Sequence, residues 1–175
     1  ITINGEATAE EFDKLAQVMG AVAVSVYNND LTYNAVKALT ERGMKQVNIH
    51  YMISEETYEG ALQLMKDRQN DPRLAKLNAI VFLSLKPKGR AIANNYTKLA
   101  QAKFDNLFRY ALENNIGVGF DSCSAQKAFQ FIEENSQYVE LKQYIEPCES
   151  SVYSSYINTK GEYFPCSFSE LENHN

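Results

Sequence analysis

No stretch of this 175-residue chain approaches the roughly 20 consecutive apolar residues of a membrane-spanning helix, and none has the build of a secretory signal. Basic runs are missing too. Seventeen Lys and Arg against 22 Asp and Glu leave a net charge of −5, which argues against a general nucleic-acid or anionic-membrane surface but leaves room for one small basic pocket. Cysteine is scarce. Three residues, an odd number, make a poor disulfide framework, so a reduced protein of the cytoplasm is expected. No nucleophile-elbow motif supports a serine hydrolase. What remains is an apolar fraction of 45% against 22% charged residues, enough to build a core and too much for wholesale disorder.

The chain alternates β-rich runs with amphipathic stretches. Strands are expected at Ile1–Asn4, Ala21–Tyr27, Gln46–Ile53, Asn78–Leu85 and Ile116–Phe120. Between them, Thr8-Ala-Glu-Glu11 has capping-box spacing for a helix to Met19, and Tyr33–Arg42 reads as a helix ended by Gly43. Ser54 is placed to cap a helix from Glu55 to about Arg68, and Thr97–Asn114 and Ser124–Glu134 complete the set. Five β-then-α units predict parallel strands with right-handed crossovers, hence an α/β fold: a partial parallel (β/α) barrel over residues 1–139. Residues 140–175 differ. There Tyr153–Ile157 and Glu162–Phe164, joined by Asn158-Thr-Lys-Gly161, read as a small β-hairpin module flanked by Cys148 and Cys166.

Strand parity is the most informative local signal. A parallel strand buried on both faces is nearly all apolar, whereas Asn48, His50, Met52 and Ser54 alternate with Val47, Ile49, Tyr51 and Ile53. Ser25 opposes the valines of its strand, Ser84 and Lys86 share a face, and the first strand offers Thr2 and Asn4. Buried without partners, such groups cost roughly 1–3 kcal/mol each. The expectation is therefore a wet or ligand-filled concavity with helices on the apolar side. Ligands in such folds sit at the C-terminal strand ends, where Lys86, Lys88 and Arg90 cluster, Arg90 having the fork that suits a carboxylate.

Cys123, Cys148 and Cys166 all stand in loop contexts beside Ser, Pro or Glu, with 24 and 17 residues between them. Loop thiols that converge point to iron–sulfur or zinc ligation, although the close CxxC pair of most zinc sites is missing.

Taken in order, these residues resemble the later part of a radical S-adenosylmethionine (SAM) enzyme. Thr2-Ile-Asn-Gly5 is similar to the third-strand "TNG" element, Val24-Ser-Val-Tyr-Asn28 to the fourth strand, Val47-Asn-Ile-His-Tyr-Met-Ile-Ser54 to the fifth and Phe82-Leu-Ser-Leu-Lys-Pro-Lys-Gly-Arg90 to the sixth. The segment from Cys148 to Cys166 resembles the auxiliary-cluster hairpin of the SPASM and twitch subgroups. The resemblance implies a barrel holding SAM and a 4Fe–4S cluster that together generate a 5′-deoxyadenosyl radical for hydrogen abstraction. It implies SAM contacts from Asn4, Ser25, Asn48, His50, Ser84 and Arg90, and an auxiliary iron–sulfur cluster on Cys123, Cys148 and Cys166. The CxxxCxxC loop of the catalytic cluster and the Gly-Gly-Glu element are missing from these residues. The chain is therefore expected to be a C-terminal portion of an enzyme, inactive alone, with an N-terminal remainder as its partner and a peptide or small molecule as substrate. Two other readings stay open: a non-redox scaffold for an anionic metabolite with zinc on the cysteines, and a lyase using Lys86 as a Schiff-base amine.

Overall fold

A computed structural model describes residues 1–86, 88 and 90–170, apart from the side chain of Arg90. Five parallel strands, β1 (Thr2–Ile3), β2 (Val22–Ser25), β3 (Val47–Ile53), β4 (Ala79–Ser84) and β5 (Val118–Phe120), lie side by side in chain order. Helices α1 (Ala9–Val18), α2 (Asn29–Glu41), α3 (Tyr58–Asn70), a short α4 (Arg90–Ala93), α5 (Gln101–Glu113) and α6 (Ala125–Glu134) alternate with them. The α/β fold with parallel strands is as expected, and so is a separate antiparallel hairpin of β6 (Tyr156–Ile157) and β7 (Tyr163–Phe164).

Local chemistry explains the element ends. The capping box forms: Glu11 N donates to Thr8 Oγ1 at 3.3 Å and Thr8 N to Glu11 Oε2 at 2.7 Å. Helix α2 begins four residues earlier than expected, because Asn28 caps it by accepting from Leu31 N at 3.1 Å. Gly43, at φ +89°, ends it in the left-handed conformation. Helix α3 starts three residues later than expected. Ser54 and Thr57 close a reciprocal turn, with Ser54 N donating to Thr57 Oγ1 at 2.8 Å and Thr57 N to Ser54 Oγ at 3.2 Å, and this turn holds residues 54–57 out of the helix. In the hairpin turn, Asn158 Oδ1 accepts from Lys160 N and Glu162 N at 2.9 and 3.0 Å, and Gly161 takes φ +81°.

Register assigns the two faces of the sheet. Cα partners run Val22 to Val47, Val24 to Ile49, Ile53 to Ser84, Ile80 to Val118 and Phe82 to Phe120. Most side chains of this parity enter one buried core with Phe12 of α1, Leu39 of α2, Leu64 and Met65 of α3, Leu107 of α5 and Phe131 of α6. The opposite parity pairs Ser25 with His50, His50 with Val81 and Met52 with Leu83, and these residues are half-buried or exposed. Five helices thus pack on one side of the sheet and leave the other open.

The tightest backbone approach is at Gly117, just before β5, where a Cβ would stand 2.7 Å from the carbonyl oxygen of Asn78. Gly117→Ala should therefore lower unfolding stability by about 1–3 kcal/mol, the usual cost of overpacking. Gly20→Ala, where a Cβ meets nothing within 4 Å, should stay within about 0.5 kcal/mol of the parent in the same urea titration.

Candidate functional site at the C-terminal strand ends

Two cavities open at the C-terminal ends of the strands. The larger, about 800 Å³, is lined from the open sheet face by Ser25, His50, Met52 and Leu83 and at its mouth by Tyr27, Ala91 and Tyr96. The smaller, about 420 Å³, is lined by Cys123, Cys166, Phe168 and the lysines 86, 88, 98 and 127. Residues Ser84 to Lys86 and Lys88 border both. Both volumes lie within the range of small-molecule sites.

The wall between them is held by Asp121, immediately after β5. Its carboxylate accepts from Ser84 N at 3.2 Å and Ser124 Oγ at 2.9 Å, and it forms an ion pair with Lys86. Ser84 Oγ lies 2.6 Å from Ser124 Oγ. The opposite rim is fastened by the two glutamates that follow β3. Glu56 accepts from Thr97 N through both carboxylate oxygens at 3.0 Å, while Glu55 accepts from Ala100 N at 2.7 Å and from Lys103 Nζ at 2.6 Å. The Thr97 backbone donor holds Glu56 down at about 2, well below the ordinary carboxylate value. These bonds fix the segment that carries Lys98 and Leu99 into the smaller cavity.

Several expected site residues lie where parity predicted and others do not. Ser25 and His50 face the larger cavity. Asn48 shares their face but accepts from Asn78 Nδ2 at 2.8 Å outside the cavity lining. Asn4 is used locally, donating to Glu6 Oε2 at 3.0 Å and accepting from Glu6 N at 3.1 Å. Ser84 has the other parity: it pairs with Ile53 and its hydroxyl bonds Ser124 at the start of α6, although the residue borders both cavities. Ser54 also leaves the polar face, being fully buried in the turn that it shares with Thr57. The side chain of Arg90 is outside the described residues.

The three cysteines come from separate segments: Cys123 and Cys166 line the smaller cavity, and Cys148 stands outside its lining. Cys148 Sγ donates to Ser150 Oγ at 3.3 Å, and the sulfur of Cys166 accepts from Phe168 N at 3.4 Å. The Phe168 amide, more than the nearby Ser150 and Ser167 hydroxyls, lowers the pKa of Cys166 from its ordinary 9.0. Cys123 is raised, by burial first, and the charges of Cys148 and Cys166 lie near enough to add to the shift. All three are free thiols. Among the described residues, no group of three or more His, Cys, Asp or Glu side chains, the three cysteines included, is placed to hold a metal ion.

Asp121, Ser124, Lys98, Lys127 and Phe168 were not singled out from the sequence. Asp121 had a usable signal, a carboxylate directly after a parallel strand. Lys98 and Lys127 had none, since one stands on a connection and the other on a helix. No protein-family model, curated protein or solved structure matches the chain.

Burial pushes the His50 imidazole below its ordinary 6.5, and the amino-terminal charge adds to the shift. The ring is therefore neutral at pH 7 and able to donate and accept. Because its pKa is lower folded than unfolded, its contribution to stability is complete above about pH 6.5 and declines as the pH falls towards the folded value. An NMR titration should show a His50 midpoint below 6.5, and His50→Gln should flatten that part of the stability profile. Iodoacetamide alkylation followed by mass spectrometry should place the pH midpoint of Cys166 below 9.0 and that of Cys123 above it. Asp121→Ala, which strands Ser84 N and Lys86, should cost about 1–3 kcal/mol.

Proposed function

We propose that this chain is part of a radical SAM enzyme, with SAM on the open sheet face and an auxiliary iron–sulfur cluster on Cys123, Cys148 and Cys166. What supports this reading is that two free thiols from separate segments, Cys123 and Cys166, line one cavity at the end of a parallel sheet whose polar face is uncovered, with Cys148 near enough for its charge to act on Cys123.

The donor set suits an iron–sulfur cluster better than zinc. The candidate donors are three cysteines and no histidine, and the chain has no CxxC pair. The larger cavity suits SAM in size and in offering a hydroxyl and a neutral imidazole, from Ser25 and His50, beside the apolar Met52 and Leu83. When bound, SAM and a reducing cluster supply the means to abstract a hydrogen atom from an unactivated carbon. The protein's own residues bind and orient. Ser25 and His50 would meet the polar parts of the nucleotide, while Asp121 fixes Lys86 on the shared wall and the Glu55–Glu56 pair holds the rim. These 175 residues contain no CxxxCxxC motif that would hold a catalytic cluster. A reducing compartment such as the cytoplasm suits thiols destined for a cluster.

Anaerobic reconstitution with ferrous iron and sulfide tests the assignment. The chain is expected to retain stoichiometric iron and acid-labile sulfide and to gain visible charge-transfer absorption, with each single Cys→Ala variant retaining less iron. Zinc bound without sulfide, or no metal with all three thiols freely alkylated, would refute it.

A further inference from the structure

The smaller cavity concentrates positive charge. In a chain of net charge −5, four lysines, Lys86, Lys88, Lys98 and Lys127, line one cavity of about 420 Å³, and no carboxylate lines it with them among the described residues. Lys86 is neutralised from behind by Asp121. The others are not neutralised in this way. Lys88 Nζ donates to the backbone oxygen of Ser167 at 2.7 Å, and Lys127 Nζ donates to the amide oxygen of Gln101 at 3.5 Å and forms no ion pair among the described residues, the nearby Asp105 accepting from Gln101 Nε2 at 2.7 Å. Lys98 has no hydrogen bond or ion pair among the described residues and stands on the segment that Glu55 and Glu56 fasten. Concentrating like charges in a concave, partly apolar site is unfavourable unless an anion completes it.

We infer that this cavity binds the phosphate group of a small molecule, with Lys88, Lys98 and Lys127 as the phosphate ligands. All the cations are ammonium point charges, which suit a tetrahedral oxyanion, whereas planar bidentate recognition of a carboxylate favours arginine. Ile53, Leu85, Leu99 and Phe168 form the rest of the wall, so the body of the ligand is apolar or aromatic. Lys86 and Lys88 also stand 5.4 and 5.9 Å from the Phe168 ring, which ties the hairpin end of the chain to this site.

Inorganic pyrophosphate is the probe, titrated by calorimetry into the metal-free chain. Saturable binding with a Kd below about 1 mM is expected, weakening with added salt. Lys98→Gln combined with Lys127→Gln should weaken it at least about ten-fold, and Lys45→Gln, away from the cavity, should leave it unchanged. Citrate should bind more weakly than pyrophosphate. Absence of saturable binding, equal affinity in the double variant, or preference for citrate would overturn the proposal. Affinity should persist in chain reconstituted with iron and sulfide; its loss on reconstitution would assign the ammonium groups to the cluster's own charge and overturn it as well. Because the first titration needs neither metal nor SAM, its result is read independently of whether a cluster forms.

Discussion

The structure depends on one constraint: five parallel strands joined in chain order by crossovers of one hand put their helices on the same side of the sheet. One face gains a deep apolar core, in which Val24, Val36, Leu39, Val47, Ile49 and Ile80 are fully buried. Each such side chain contributes about 1.5–3 kcal/mol through burial. Among the described residues the other face of the sheet has no helical layer, although parallel sheets are ordinarily covered on both sides. Ser25, Asn48 and His50 occupy it at no desolvation penalty that a hydrogen bond or water cannot offset. The polar parity of the strands is thus a consequence of where the helices go.

The same geometry concentrates chemistry at one edge. Connections leaving the C-terminal strand ends carry Glu55, Glu56, Lys86 and Asp121, and each is engaged in holding a neighbouring segment. Asp121 joins β4, β5 and the start of α6 through Ser84 and Ser124, and the ion pair to Lys86 belongs to that same network. The two cavities share this wall, so a ligand in one is mechanically adjacent to the other. The C-terminal hairpin segment reaches the same place through Ser167 and Phe168, which brings Cys166 to the cavity that Cys123 lines from α6's approach.

Much of the fold was legible in the sequence because it rests on local rules. The Thr8–Glu11 capping box, the glycine after α2, the period-2 pattern of Val47–Ile53 and the Asn158–Gly161 turn each state their own structure. Boundaries moved where a side chain had a better local partner, as with Asn28 capping α2 early and Ser54–Thr57 delaying α3. The site was legible only in part. Ser25 and His50 follow from parity along regular strands, but Ser84 stands at the end of β4, where pairing with Ile53 and the reach of Ser124 decide its direction. Lys98 and Lys127 enter the site through tertiary placement alone, and a lysine on a helix or connection carries no sequence mark of the cavity that it faces.

Cys123 and Cys166, far apart in the chain, line one cavity at the edge of an open parallel sheet, and the charge of Cys148 reaches Cys123. A monosubstituted trivalent arsenical, which binds stably only when two thiols lie within reach of one arsenic atom, tests this directly in the native, reduced chain. The account predicts one arsenic per chain, with mass spectrometry placing it on Cys166 and Cys148 or Cys123, and binding abolished by urea. Native chain that takes up no arsenic while all three cysteines alkylate independently would contradict it.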